Sequence, residues 1–326
     1  MIKSILGVPM LAALLLAGCG GGGGGSTNGS AATNSTPPVV FVAPAGTVAT
    51  TALSATNLLF PEGLAVSPDG HTLYVANASD DSITEIDLTS SNYASRTLPL
   101  VQSGSTSTPY QLQAPAGLAV SPDGRTLYVA NFGISPNNGF ITEVALNSCT
   151  TSCPTSTLPY TASPAIDNPT GLAVSSTSLF VANHGGQNVM QLTLGTSATL
   201  AASYSNGATP INPWDVLLNP SGLLYVTDNE AGTVTSLDAS SGTLDPTSHH
   251  LVASGPRAST GMTMIGSYLY VASYQNKAIY KVDPASGASV ATLDVAPHQP
   301  FFLGTDGMHL FFTDGNDGSV DEIVQP

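Results

Sequence analysis

Apolar positions along the chain fall into short runs of four to six, and the same order of runs recurs down its length. The clearest unit is PEGLAVSPDGHTLYVAN, Pro61 to Asn77, which returns almost letter for letter as PAGLAVSPDGRTLYVAN from Pro115 to Asn131. In it, Gly63-Leu64-Ala65-Val66 is a run with no polar break, the pattern of a strand buried on both faces. Ser67-Pro68-Asp69-Gly70 is a turn: Pro presets φ, Asp bonds its own backbone and Gly accepts the conformation other residues avoid. Thr72 to Ala76, β-branched and aromatic, predicts a strand returning antiparallel to the first. A polar corner at Asn77 to Asp81 then leads to Ser82-Ile83-Thr84-Glu85-Ile86-Asp87, whose mixed polarity suits a strand nearer a rim.

Looser copies follow as PTGLAVSSTSLFVAN (Pro169 to Asn183), PWDVLLNPSGLLYVTDN (Pro213 to Asn229), TGMTMIGSYLYVAS (Thr260 to Ser273) and QPFFLGTDGMHLFFTD (Gln299 to Asp314). The period of roughly 40–54 residues is that of an all-β array. Weaker fourth strands are predicted around Arg96 to Val101, Thr155 to Thr161, Thr199 to Tyr204, His249 to Ser254 and Ala288 to Val295. One four-stranded meander cannot cover its own apolar faces, whereas sheets set radially around an axis cover one another. The reading is therefore an all-β, six-bladed β-propeller of four-stranded antiparallel blades, its small Gly and Ala residues suiting the crowded axis. The chain stops after the third strand of the sixth unit, and Thr47 to Leu53 is a spare strand at the other end, expected to pair with Ser319 to Val324 and close the ring.

What precedes the repeats changes the picture. Residues 1–18 carry one lysine, Lys3, then an apolar run from Ile5 to Leu16 too short to span a bilayer, the pattern of a secretory signal. Residues 19–46 open on Cys19, run through a Gly20 to Gly25 tract and stay rich in Ser, Thr and Asn, a composition that forms a tether on the order of 30 Å in reach. The propeller then occupies 47–326. Cys149 and Cys153 are close enough in an exported chain to form a small disulfide loop; zinc, the competing reading, lacks a second pair of ligands. A formal net charge of −15 with only six Lys and Arg argues against nucleic acid or an anionic lipid surface as partner.

Topology places the entry loops and the loops joining second to third strands on one face, where a site at the channel mouth is expected. The position after the repeat proline gives Glu62, Ala116, Thr170, Trp214, Thr260 and Gln299, with Asp215 and His298 beside the series. Glu62, Trp214, Asp215, His298 and Gln299 are the candidate ligand-binding residues. Trp214 with Asp215 reads either as a shallow platform or as a plug whose carboxylate bonds loop amides. Asn77, Asn131, Asn183, Asp228, Ser273 and Asp314 close the second strands, as Asx turns or as a ring of ligands. Asp314 to Gly318 has the oxygen density of a calcium loop without the spacing or distal glutamate of an EF-hand, so no metal ligands and no cofactor are assigned, a divalent metal such as calcium being the alternative. No Gly-x-Ser-x-Gly elbow, phosphate loop or His-x-x-x-His pair occurs, and no catalytic residue is assigned.

Two resemblances add expectations. Leu16-Ala17-Gly18-Cys19 resembles the bacterial lipoprotein lipobox, which implies cleavage before Cys19, lipid on its thiol (palmitate among the acyl chains) and retention at the cell envelope. Gly20 is not the inner-membrane aspartate of the enteric sorting rule, so the outer membrane is implied for a Gram-negative source. SPDGRTLYVAN followed by Ile-Thr-Glu-Val resembles the YVTN and NHL-type repeats of bacterial exported propellers, from about Pro61 to the end. That resemblance implies fold far more than function. The expected role is a monomeric scaffold binding a protein or glycan through its loop-rich face. The alternative is a metal-dependent lactonase or lyase: in the six-bladed gluconolactonase type a glutamate entering the first blade, an asparagine and an aspartate hold a divalent metal, which would map onto Glu62, Asn168 or Asn212, and Asp215.

Overall fold

The computed structural model describes residues 49–53, 55–135, 138–205, 211–254, 258–315 and 317–324. The signal segment, Cys19 and nearly all of the tether lie outside them. Among the described residues the strands form six sheets, each built on an antiparallel meander, to which the second adds a parallel strand and the sixth the first strand of the chain. Blade 1 runs Pro61–Val66, Thr72–Asn77, Ser82–Asp87 and Ser95–Thr97; blade 2 begins at Pro115–Val120, blade 3 at Pro169–Val174, blade 4 at Pro213–Leu218, blade 5 at Ser259–Ile265 and blade 6 at Pro300–Thr305.

The second strands explain why six sheets make one ring. Side chains alternate across a strand, so in Leu73-Tyr74-Val75-Ala76 the leucine and valine face one way and the tyrosine and alanine the other. Leu73 and Val75 pack with Phe302, Phe311 and Val320 of blade 6. Tyr74 and Ala76 pack with Leu118, Leu127 and Val129 of blade 2. The same division generates a core between every other pair of neighbouring blades. Both faces of each sheet are thus buried, and that is why the runs lack the polar alternation of a half-exposed sheet. The hairpin turns behave as their residues require: Gly70 and Gly124 sit at φ of +75° and +71°, and Ser67 Oγ and Ser121 Oγ accept the amides of Thr72 and Thr126.

Ring closure follows the spare strand. Thr51 pairs with Glu322 and Ala52 with Asp321, antiparallel, and the Leu53 amide donates to the Val320 carbonyl at 2.8 Å. Among the described residues the paired strand is Thr51–Ala52, Thr47 and Val48 of the expected 47–53 lying outside them, while buried Leu53 joins the core between blades 6 and 1. The fourth strand expected at Arg96 to Val101 divides at Pro99. Leu98 donates to Ile83 as the last rung in blade 1; Leu100–Gln102 then leaves and pairs parallel with Cys153–Thr155 as a fifth strand of blade 2. Proline has no amide to continue the ladder. Cys149 and Cys153 form the disulfide at the start of blade 2's outer strand, which runs Cys153–Thr157 rather than Thr155 to Thr161. The Arg96 guanidinium donates to the carbonyls of Cys149 and Thr150, tying that loop to blade 1. In blade 4 the outer strand is longer than expected, Asp245–Ser254.

Candidate functional site

Every innermost strand carries the same bulge. Pro61 pairs with Asn77 and Leu64 with Val75, so Glu62 and Gly63 together oppose one residue, Ala76. The register shift recurs in the other blades. A bulge re-aims its two residues, here at the axis. The first bulge positions are Glu62, Ala116, Thr170, Trp214, Thr260 and Phe301. Gln299 is not among them: it precedes the strand, its amide donating to Asp314 Oδ1 at 3.0 Å. The second positions are Gly63, Gly117, Gly171, Asp215, Gly261 and Phe302. A Cβ on Gly63 would overlap the Ala116 carbonyl oxygen, and one on Gly117 that of Thr170, so side chains larger than hydrogen do not fit where blades 1 to 3 converge.

Asp215 occupies that crowded level as a bridge. Its Oδ1 accepts the Val216 amide at 2.9 Å and its Oδ2 the Met262 amide of blade 5 at 2.8 Å. Its own amide donates to Thr227 Oγ1, which donates to the Thr260 carbonyl. Burial pushes its carboxyl up to about 7, against the pull of the two amides. Burial likewise pushes Glu62 up to about 7. Glu62 and Asp215 stand on blades 1 and 4, three apart in a ring of six. Beyond Asp215, towards the Ser-Pro-Asp-Gly turns, the channel is a cavity of ≈ 200 Å³ lined mainly by apolar side chains, Leu64, Leu118, Leu172, Val216, Met262 and Leu303.

The other end of the channel is closed by aromatic rings. Trp214, 3% exposed, meets His184 edge-on at 5.3 Å between centroids and Phe301 at 5.5 Å. Phe301 meets Tyr274 at 5.8 Å, and His184 meets Phe132 at 6.5 Å. Phe132, His184 and Tyr274 each follow the residue that closes a second strand, and they form a tier above the bulge residues that the repeat proline does not index. Among the described residues, three buried polar atoms at this mouth have no hydrogen-bond partner: His184 Nδ1, Trp214 Nε1 and Thr260 Oγ1, on blades 3, 4 and 5. Burial lowers the pKa of His184, favouring the neutral ring.

The Asn and Asp residues that close the second strands turn to the entry loops. The Oδ1 atoms of Asn77, Asn131 and Asn183 accept the amides of Leu59, Gln113 and Asp167, and Asp228 Oδ2 that of Asn212. They act as latches on loops whose residues before the strand, Phe60, Ala114 and Asn168, hold φ of +55°, +46° and +44°. His298 turns to blade 6 and the closing segment: Nδ1 lies 2.6 Å from Asp314 Oδ2, Nε2 lies 3.1 Å from Thr50 Oγ1, and the ring packs on Phe312.

Fold and channel together define the class: this chain is a six-bladed β-propeller. No family model and no curated protein matches the chain. Solved structures similar to it include streptogramin B lyase, at 15% identity over 85% of this chain and 87% of that one with a TM-score of 0.56. Virginiamycin B lyase from Staphylococcus aureus is similar at 13% identity, 85% and 98% coverage and a TM-score of 0.56. A chain of the nidogen/laminin complex is similar at 17% identity, 72% and 80% coverage and a TM-score of 0.56. At these identities the likeness is one of fold.

Proposed function

We propose that this chain is an envelope lipoprotein, held to a membrane by lipid on Cys19, whose propeller captures a protein or glycan at the face bearing Trp214. The observation that carries the binding reading is the set of three unpartnered polar atoms among aromatic rings on successive blades. Buried polar groups in folded proteins are almost always paired, so a cluster of orphans at a channel mouth marks a place where a ligand or bound water completes the set. The same face exposes Leu59, Phe60 and Ile134, at 51%, 53% and 81%, the kind of apolar rim that marks interaction surfaces. The lipobox, the tether and the disulfide agree on an exported, oxidising address, and a neighbour of the same fold is known from a complex of nidogen with laminin.

Trp214 is the chain's only tryptophan, so its fluorescence reports on this site alone. A panel of envelope glycans and proteins titrated into the mature protein is expected to contain one that shifts Trp214 emission, with affinity falling about tenfold or more in His184→Ala and Ile134→Ser, as for central contacts of an interface. A partner bound equally well by both variants would refute the site. Cys19→Ser is expected to move the protein from the membrane fraction to the soluble one and to abolish palmitate incorporation; unchanged membrane retention would refute the anchor.

A second reading, a metal-assisted lactonase or lyase, is favoured by one observation: Glu62, pushed up to about 7, is suited to proton transfer at neutral pH. Its other proposed ligand is otherwise occupied, since both oxygens of Asp215 already accept backbone amides. Turnover of a lactone that Glu62→Gln abolishes would establish it.

A further inference from the structure

We propose that the point where the ring closes is a binding site for one divalent transition-metal cation of the zinc class, held by His298, Asp314 and Asp321, whose ligand atoms all lie within 4.8 Å of one another, with Asp317 beside them. Four segments converge there: the entry loop of blade 6 (His298), the end of its second strand (Asp314), the following turn (Asp317) and its third strand (Asp321). From His298 Nδ1 the nearest oxygens of Asp314, Asp321 and Asp317 lie at 2.6, 3.9 and 4.0 Å. Ligands at the corners of a zinc tetrahedron lie about 3.3 Å apart, given bonds of about 2.0–2.1 Å. The separation to Asp314 must therefore open and that to Asp321 close by less than ~1 Å each, a change within the reach of side-chain rotation.

Charge argues the same way. Three carboxylates gather around one imidazole, and Asp314 and Asp321 are 0% and 1% exposed. Buried carboxylates are retained where they are paired or coordinate a metal. The donors are also held from behind, as ligands of a resident metal are. For two of the three this holds, since Gln299 donates its amide to the far oxygen of Asp314 and the other nitrogen of His298 lies on Thr50 Oγ1; Ser319 instead donates its hydroxyl to Asp321 Oδ2, the oxygen that faces His298, and has to share that oxygen with the ion. Asp317, half exposed at 51%, leaves a path from solvent. The imidazole in the set separates this site from a calcium loop, whose ligands are oxygens. Thr50 adjoins the closing strand, and Asp321 pairs with Ala52 across it, so an ion here would clamp the first and last strands of the ring.

The test uses the mature protein, stripped with EDTA and dialysed against zinc chloride or, in parallel, calcium chloride. We expect one zinc per chain by elemental analysis and a thermal midpoint raised by zinc but not by equal calcium. His298→Gln and Asp321→Asn, each verified as folded by circular dichroism of the metal-free form, are expected to lose about tenfold or more in zinc affinity, whereas His184→Gln at the channel mouth keeps the wild-type stoichiometry. Absence of stoichiometric zinc, a preference for calcium, or zinc retained at full affinity by both His298→Gln and Asp321→Asn would overturn the assignment.

Discussion

Gly117→Ala is expected to destabilise the propeller by about 3 kcal/mol or more, the upper range for overpacking a close-packed interior, and to lower the melting midpoint by roughly 6–12 °C. The added methyl would meet the Thr170 carbonyl oxygen and the Gly171 Cα of the next blade, which are backbone and cannot turn aside. Relief requires moving one blade against another, and each blade is fixed by cores on both faces. Gly195→Ala is the control. Its Cβ would meet only the Ser197 carbonyl oxygen at 3.7 Å, an ordinary contact, so the midpoint should hold or rise slightly. Equal midpoints for the two variants in a thermal melt would show that the innermost strands do not converge as described.

The second large effect concerns pH. The Asp215 carboxyl titrates at about 7 when folded, against an ordinary value of 3.8. The folded chain therefore keeps this proton where the unfolded chain releases it. Its favourable contribution is complete below pH ~4 and is lost as pH rises towards ~7, on the order of 4 kcal/mol in all. Glu62 adds an effect of the same sign, smaller because its side chain is partly accessible. The exposed Asp69, Asp123 and Asp238, held below the ordinary carboxylate range by neighbouring hydroxyls and amides, act in the opposite sense at lower pH. Denaturant midpoints should thus be higher at pH 5 than at pH 8. Asp215→Asn, the same shape without the titration, should close a large part of that gap, leaving the remainder to the other carboxyls raised by burial, Glu62, Glu143 and Asp321, set against His184, which burial lowers. A gap unchanged by Asp215→Asn would mean that the carboxyl is not buried at the axis.

Much of the fold was legible because the repeat states it twice in nearly identical words. Unbroken apolar runs such as Leu73 to Ala76 require a sheet covered on both faces, and a sixth unit one strand short, with a spare strand near Thr51, requires closure. The departure of Leu100–Gln102 into blade 2 was not legible, although Pro99 marks where a ladder has to stop, because nothing local names the parallel partner at Cys153. The site was legible only in part. Spacing from the repeat proline found Glu62 and Trp214, but in the last unit Gln299 stands before the proline that matters: Pro300 is paired opposite Asp314, and the residue after it is Phe301. The upper aromatic tier went unread. Phe132, His184 and Tyr274 differ in type and share only their place after the residue closing the second strand, and a ring makes neighbours of residues some 30 to 50 apart.

Amide hydrogen exchange at Leu53 in the mature protein tests ring closure most directly. The Leu53 amide, bonded to Val320 in the completed ring, should exchange about as slowly as amides within the blade cores, and Val320→Ala, which keeps the carbonyl, should leave it protected. Exchange at the rate of an unstructured amide would show that the first strand does not complete the sixth blade.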